Sequence, residues 1–330
     1  MSVIRERTAP TTTGRRALPL PGTSGPPSRR RRSGEPRGLW PYALIAPAVG
    51  GMLYLLVYPL LRAVLISLQD FRLRQLITGD AEFVGLRNYR TLLSDPRFWE
   101  VVRRTFLFMA VNVVLIMVIA TLVALMTERL GRVARTVVLS SLVLAWAMPV
   151  IAATTVFQWL FHSEFGIVNH LLTGAGFSSF DRYPWFAHGT AAFAILVLLV
   201  VWQSVPFAAI TVYSALTTVP AELYESARLD GASGARIFRS VTLPVLRPIF
   251  LLVFSLEVIW TFKAFVQIWV MTRGGPGDAT TILPVYAVQT ALAGQRYDLG
   301  SAASMVTVVL MSGVLVLYFR QMLRQEDEIR

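Results

Sequence analysis

The sequence predicts an all-α integral membrane protein of six transmembrane helices. Three observations carry this: an excess of apolar residues, six long and almost uncharged segments, and charge confined to the stretches between them. Of the 330 residues, 55% are hydrophobic and 15% charged. A water-soluble domain carries nearer 25% charge, so lipid is the solvent that suits this composition. A helix crosses the ~30 Å hydrocarbon layer in about 20 residues. Only helices and closed barrels satisfy the backbone in lipid, and these segments are too long and continuous for barrel strands.

Residues 1–39 come first, with nine arginines and many Pro, Gly, Ser and Thr. They have no apolar period, which predicts a disordered cytoplasmic tail. Within it, Arg29–Arg32 forms a basic anchor for anionic lipid. The membrane-spanning body covers residues 40–320. Its predicted spans are Trp40–Leu61, Thr105–Thr127, Thr136–Phe161, Gly189–Thr217, Pro248–Thr272 and Leu299–Phe319. The fifth alone carries charge, at Glu257 and Lys263. Pro47, Pro59, Pro149 and Pro206 lie in or at the ends of spans and predict local irregularity. Residues 321–330 form a second tail.

An even number of spans puts both termini on one side. With that side cytoplasmic, 19 arginines fall inside and 11 outside, as cytoplasmic retention of basic residues requires. The 62–104 segment dissents, with eight arginines on the outer side. The net charge of +12 therefore reads as a topology signal and not as a nucleic-acid surface. There is no cysteine, which excludes disulfides and thiolate chemistry. The three histidines, His162, His170 and His188, have no metal-ligand spacing, and no nucleophile–base constellation is present.

The segment 218–247 is more than a connection. Pro220 suits a first helical position, Glu222 and Glu225 suit the dipole of a first turn, and Gly231 suits a left-handed helix end. Ser233 can cap a second short helix. Leu223, Tyr224 and Ala227 make one apolar edge, and Ile237, Phe238 and Val241 another. Exposed apolar edges suit a protein partner or a hairpin lying on the inner leaflet, and these features alone leave both open.

The motif settles the choice by resemblance. Glu225-Ser226-Ala227, Asp230-Gly231-Ala232 and Leu243-Pro244 resemble the "EAA" loop of binding-protein-dependent ABC importer permeases, with Ser226 and Val241 as small departures. The resemblance implies a type I ABC importer permease fold, with this loop as the helix that couples to a separate cytoplasmic ATPase. The coupling residues it implies are Glu225, Ala227, Asp230, Gly231, Ala232, Leu243 and Pro244. It also implies a second homologous permease subunit and an extracytoplasmic substrate-binding protein as partners. Independently, a phosphate-binding loop needs a lysine, and Lys263, the only one, follows Trp-Thr-Phe within a span. The chain is expected to bind no cofactor, with ATP and Mg used by the partner.

Phe83–Phe98, Phe165–Asn169, Phe262–Phe265 and Thr272–Gly277 with Thr280-Thr281 resemble the shorter carbohydrate permeases of the maltose and glycerol-phosphate group. Val266 stands where that group often has an acid. The expected function is thus inward movement of a sugar or oligosaccharide across the cytoplasmic membrane. The alternatives are glycerol phosphate or a polyamine as cargo, or an intramembrane enzyme. Sugar pathways use flat aromatic faces and hydrogen-bonding groups, which nominates Gln158, Trp159, Trp260, Lys263 and Gln267. Glu257 joins them, because an acid at that depth is costly unless it faces the bundle interior or water.

Overall fold

The computed structural model describes residues 40–327. The expectations for the 1–39 tail, the Arg29–Arg32 anchor and residues 328–330 lie outside the described residues. The chain divides into two units, one ending at Tyr54 and the other starting at Leu55. In the first, α1 (Trp40–Met52) is an apolar helix with Pro47 inside it.

The second unit opens with α2 (Tyr58–Ser67). A two-stranded antiparallel ribbon follows, pairing β1 (Gln69–Asp70) with β2 (Glu82–Phe83) around the short α3 (Leu73–Thr78). Next come α4 (Arg87–Leu93) and the 34-residue α5 (Pro96–Arg129). Helices α6 (Arg132–Trp146), α7 (Val150–Leu160) and α8 (Ile167–Gly174) precede the 28-residue α9 (Gly189–Leu216). The loop helices α10 (Ala221–Leu229) and α11 (Gly234–Ile237) lead into α12 (Leu243–Phe262) and α13 (Phe265–Met271). Finally α14 (Leu283–Val288) continues as a wider π turn to Ala293, and α15 runs over Tyr297–Asp327.

Five helical stretches are long and apolar enough to cross a membrane: Leu44–Ser67, Pro96–Arg129, Gly189–Leu216, Gly234–Met271 and Tyr297–Arg320. The third predicted span is instead two helices, α6 and α7, bent by 97° across residues 147–149. Pro149 is the reason. It disfavours helical backbone at Met148 and offers no N–H to continue the ladder, so it becomes the N-cap of a new helix. Other boundaries move for local reasons. Asp95 caps α5 by accepting from the Arg97 N–H, and Pro96 occupies the first position, so this helix starts nine residues before Thr105. Within the stretch Gly234–Met271, α12 begins at Leu243 with Pro244 in its first turn, and the helix is locally interrupted at Lys263–Ala264.

Helix α9 is apolar all round, as an enclosed helix must be. Leu196, Leu199 and Ala208 are fully buried, and α5 runs along it. Ala120 on α5 and Ala208 and Ala209 on α9 share the central core, where small side chains let the backbones approach. At one end, a second core joins Leu92, Phe98, Val101, Leu283, Tyr286 and Ala302. At the other, Ala124, Val212, Leu216 and Leu246 form a third. There Arg135 donates to the carbonyls of Thr127, Glu128 and Leu130, satisfying the end of α5.

The 273–298 segment, between the fifth and sixth predicted spans, holds the buried helix α14. Thr105 Oγ1 accepts from the Leu283 N–H at 2.9 Å, and Arg104 Nη1 donates to Thr281 O at 3.1 Å. Before it, Thr272–Thr281 folds on itself through Thr272 Oγ1–Thr280 Oγ1 (2.7 Å) and Thr281 Oγ1 to Gly274 O (3.1 Å). Gly274 has φ +91°, and a Cβ there would meet Thr281 Oγ1 at 2.4 Å. Arg97 closes the loop against α5 with two bonds to Asp278, at 2.7 and 3.0 Å.

Candidate coupling surface and solute cleft

The 218–247 loop folds as two short helices. Pro220 sits at the N-cap of α10, with extended ψ of 133°, one position earlier than expected. At the far end the Ala232 N–H reaches Ala227 O and the Gly231 N–H reaches Arg228 O, both at 3.0 Å. That pair of bonds is a Schellman termination, and Gly231 supplies its left-handed residue at φ +73°. No atom lies within 4 Å of a Cβ built on Gly231, so the requirement there is conformational and not spatial. Ser233 holds the N-cap of α11 through its backbone, without a side-chain capping bond.

The apolar edges turn out differently from expectation. Tyr224, Ala227, Ile237, Phe238 and Val241 are half-buried, not exposed. Tyr224 packs on the third core, and its hydroxyl lies 3.4 Å from Thr242 Oγ1. The bundle end supplies enough apolar surface to claim them. What faces outward is Glu225, Asp230, Gly231, Leu243 and Pro244, with Leu223 and the 89% exposed Leu229. Ala227 and Ala232 are the half-buried motif residues, where small side chains let α10 sit close. A groove of about 530 Å³ runs beside this surface, between Glu128 and Arg129 of α5 and Tyr224, Arg228 and Phe238 of the loop.

A second concavity, about 390 Å³, lies where two helix breaks meet. Met148 lies within the α6–α7 break and Val150 opens α7, while Lys263 and Ala264 form the α12–α13 break. Gln203 and Ser204 of α9 lie opposite, just before Pro206. Broken spans are where backbone and polar groups are tolerated at membrane depth, because they line a cavity. Two of its lining residues are indoles, Trp146 and Trp260, and Phe207 joins them, stacked on Trp146 (5.9 Å) and edge-on to Trp260 (5.0 Å). Gln267 Nε2 approaches Gln203 Oε1 at 3.3 Å.

Three of the nominated pathway residues, Trp260, Lys263 and Gln267, line this cleft together. Gln158 and Trp159 do not. Gln158 donates to the carbonyls of Val270 and Met271, fastening α7 to α13. Trp159 is 70% exposed and meets Phe165 edge-on, away from the cleft. Glu257 is fully buried behind the cleft wall, with the Ser204 hydroxyl as the polar group beside its carboxyl. Trp146, Gln203 and Phe207 were not nominated. Only their pairing across breaks reveals them, although the Pro149 and Pro206 punctuation pointed to the neighbourhood. The described residues hold no cluster of His, Cys, Asp or Glu suited to a metal.

A bundle of apolar helices with a cleft at its helix breaks and a projecting two-helix loop at one end defines a multi-pass membrane transport component. A family model described as the binding-protein-dependent transport system inner membrane component matches residues 116–326, and the chain belongs to this family. The permease protein DasB of a diacetylchitobiose uptake system from Streptomyces coelicolor is 46% identical over 307 residues, covering 93% of each chain. The permease protein MalF of a trehalose/maltose transport system from Thermococcus litoralis is 33% identical, covering 84% of this chain and 92% of that one. The fold is also that of a chain in the crystal structure of a bacterial ABC transporter importing the acidic polysaccharide alginate. That match has a TM-score of 0.74 at 19% identity and covers 87% of this chain and 96% of that one.

Proposed function

We propose that this chain is the permease subunit of an ABC importer that moves a short, uncharged oligosaccharide inward across the cytoplasmic membrane. The observation that carries the cargo reading is the cleft. Flat indole faces at Trp146 and Trp260 suit sugar C–H surfaces, while the Gln203 and Gln267 amides suit hydroxyl and acetamido groups. The relative named for diacetylchitobiose makes that disaccharide the first ligand to test. The lining residues include one cation and no carboxylate, which disfavours a polyamine.

Coupling runs through 218–247, with both termini and this loop on the cytoplasmic side. Glu225 and the exposed Leu229 contact a separate ATPase, which binds ATP and Mg. Tyr224, seated in the bundle end, carries the displacement of α10 into α9 and α12. A second homologous permease completes the pathway, and an extracytoplasmic binding protein delivers the sugar. A related alginate importer has been crystallised with its oligosaccharide-bound periplasmic protein, which supports that last partner.

The test is uptake into proteoliposomes holding this chain with its second permease, its ATPase and its binding protein. ATP-dependent accumulation of labelled diacetylchitobiose or a related oligosaccharide is expected. Accumulation of glycerol phosphate or a polyamine instead, or turnover by the isolated chain without an ATPase, overturns the reading.

A further inference from the structure

At the end of the bundle opposite the 218–247 loop, a recess of about 650 Å³ opens between α5 and α9. Arg103, Arg104 and Leu107 of α5 line one side. His188, Gly189, Thr190 and Phe193 line the other, at the start of α9, with Ala187 and Ala279 completing it. We propose that this recess binds the phosphate headgroup of an anionic glycerophospholipid.

Charge is the first argument. Arg103 is exposed and makes no ion pair among the described residues. Arg104 is half-buried, and its guanidinium has one bond, to the neutral carbonyl of Thr281. The carboxylates that act on Arg104 are Asp278, already gripped by Arg97, and Glu100. The His188 ring is stacked on Tyr183, so it gives the start of α9 no side-chain cap. The first N–H groups of a 28-residue helix therefore add to two guanidiniums around one cavity.

Depth is the second argument, and it selects lipid. Arg103 and Arg104 directly precede the uncharged run Thr105–Thr127, and Gly189 opens the uncharged α9. Both helices thus enter hydrocarbon at the recess, which puts it at headgroup level. One turn deeper, Leu107 is 50% exposed and Phe193 half-buried, so a basic rim sits over an apolar wall. A phospholipid has that polarity along its length, whereas a free anion or an acidic protein has no use for the lower half.

Native mass spectrometry of the purified full chain, offered dioleoyl phosphatidylglycerol or dioleoyl phosphatidylcholine, tests this. One phosphatidylglycerol should be retained in preference to phosphatidylcholine. Arg103→Glu should weaken that retention at least about fivefold, the worth of one basic residue at an anionic surface. Leu107→Trp, which fills the recess without changing charge, should weaken it too, while Arg87→Glu outside the recess should not. Thermal unfolding of each variant separates lost binding from lost folding. Equal retention of both lipids, or equal loss in Arg87→Glu, overturns the proposal. Displacement of the lipid by millimolar inorganic phosphate reassigns the recess to a free anion and overturns it as well. Unchanged lipid retention in Arg103→Glu, with binding-protein stimulation lost, makes it a protein contact and does the same.

Discussion

Tyr224 and Glu225 are adjacent in sequence and face opposite ways. The phenol enters the third core, and the carboxylate stays in water. A charge reversal at an exposed position leaves packing intact, so Glu225→Lys should insert normally yet lose substrate-stimulated ATPase activity in the reconstituted complex. Normal stimulation in that variant would remove Glu225 from the coupling surface. Gly231 is a different kind of residue, needed for its φ of +73°. Gly231→Val puts a β-branched side chain in the left-handed region, at a cost of about 1–2 kcal/mol or more. It should reduce coupling while leaving sugar binding unchanged, and paired ATPase and ligand-binding assays separate the two. In the cleft, Trp260→Ala should raise the half-saturating sugar concentration for uptake several-fold. Trp159→Ala, on the exposed side of α7, should leave it unchanged.

Among elements, the informative ones are those that are interrupted. One predicted span breaks, α6–α7 at 147–149, another is locally interrupted between α12 and α13 at 263–264, and both points border the cleft with α9. The first has a visible cause in Pro149. The second has none in local sequence, since Phe262, Lys263 and Ala264 are ordinary helix residues, and tertiary packing overrides their propensity. Helix α14 escaped notice for the opposite reason. At six α-helical residues, with a π turn to Ala293, it is too short to read as a span, and its burial depends on α5 and α15. Thr105 holds it in place by accepting the Leu283 N–H. Thr105→Val keeps the shape but removes that acceptor, leaving a buried donor unsatisfied at about 1–3 kcal/mol. The expected result is a lower unfolding temperature in detergent and faster proteolysis within 273–298.

For the molecule as a whole, the ion pairs account for part of the charge placement. The eight arginines of 62–104 run against an amino-terminus-in topology, yet Arg72 pairs with Asp70 and Arg97 with Asp278, and Arg103 and Arg104 line the basic recess. A phosphate-binding loop needs a lysine in a glycine-rich turn, and the single lysine, Lys263, lies at a helix break after Trp-Thr-Phe. The purified subunit should therefore show no saturable ATP binding, and nucleotide affinity should appear only with its ATPase present. Equilibrium dialysis with labelled ATP checks this. The sequence by itself determined the apolar spans, the two short helices of 218–247 and the Gly231 termination between them, because span length and turn chemistry are local properties of the chain. Only the tertiary structure decided that Tyr224 and Ala227 turn inward, that Phe207 packs against both Trp146 and Trp260, and that α14 is buried. Those outcomes depend on which surfaces of distant segments meet, and residues such as Gln203 and Lys263, 60 positions apart, carry no local sign of it.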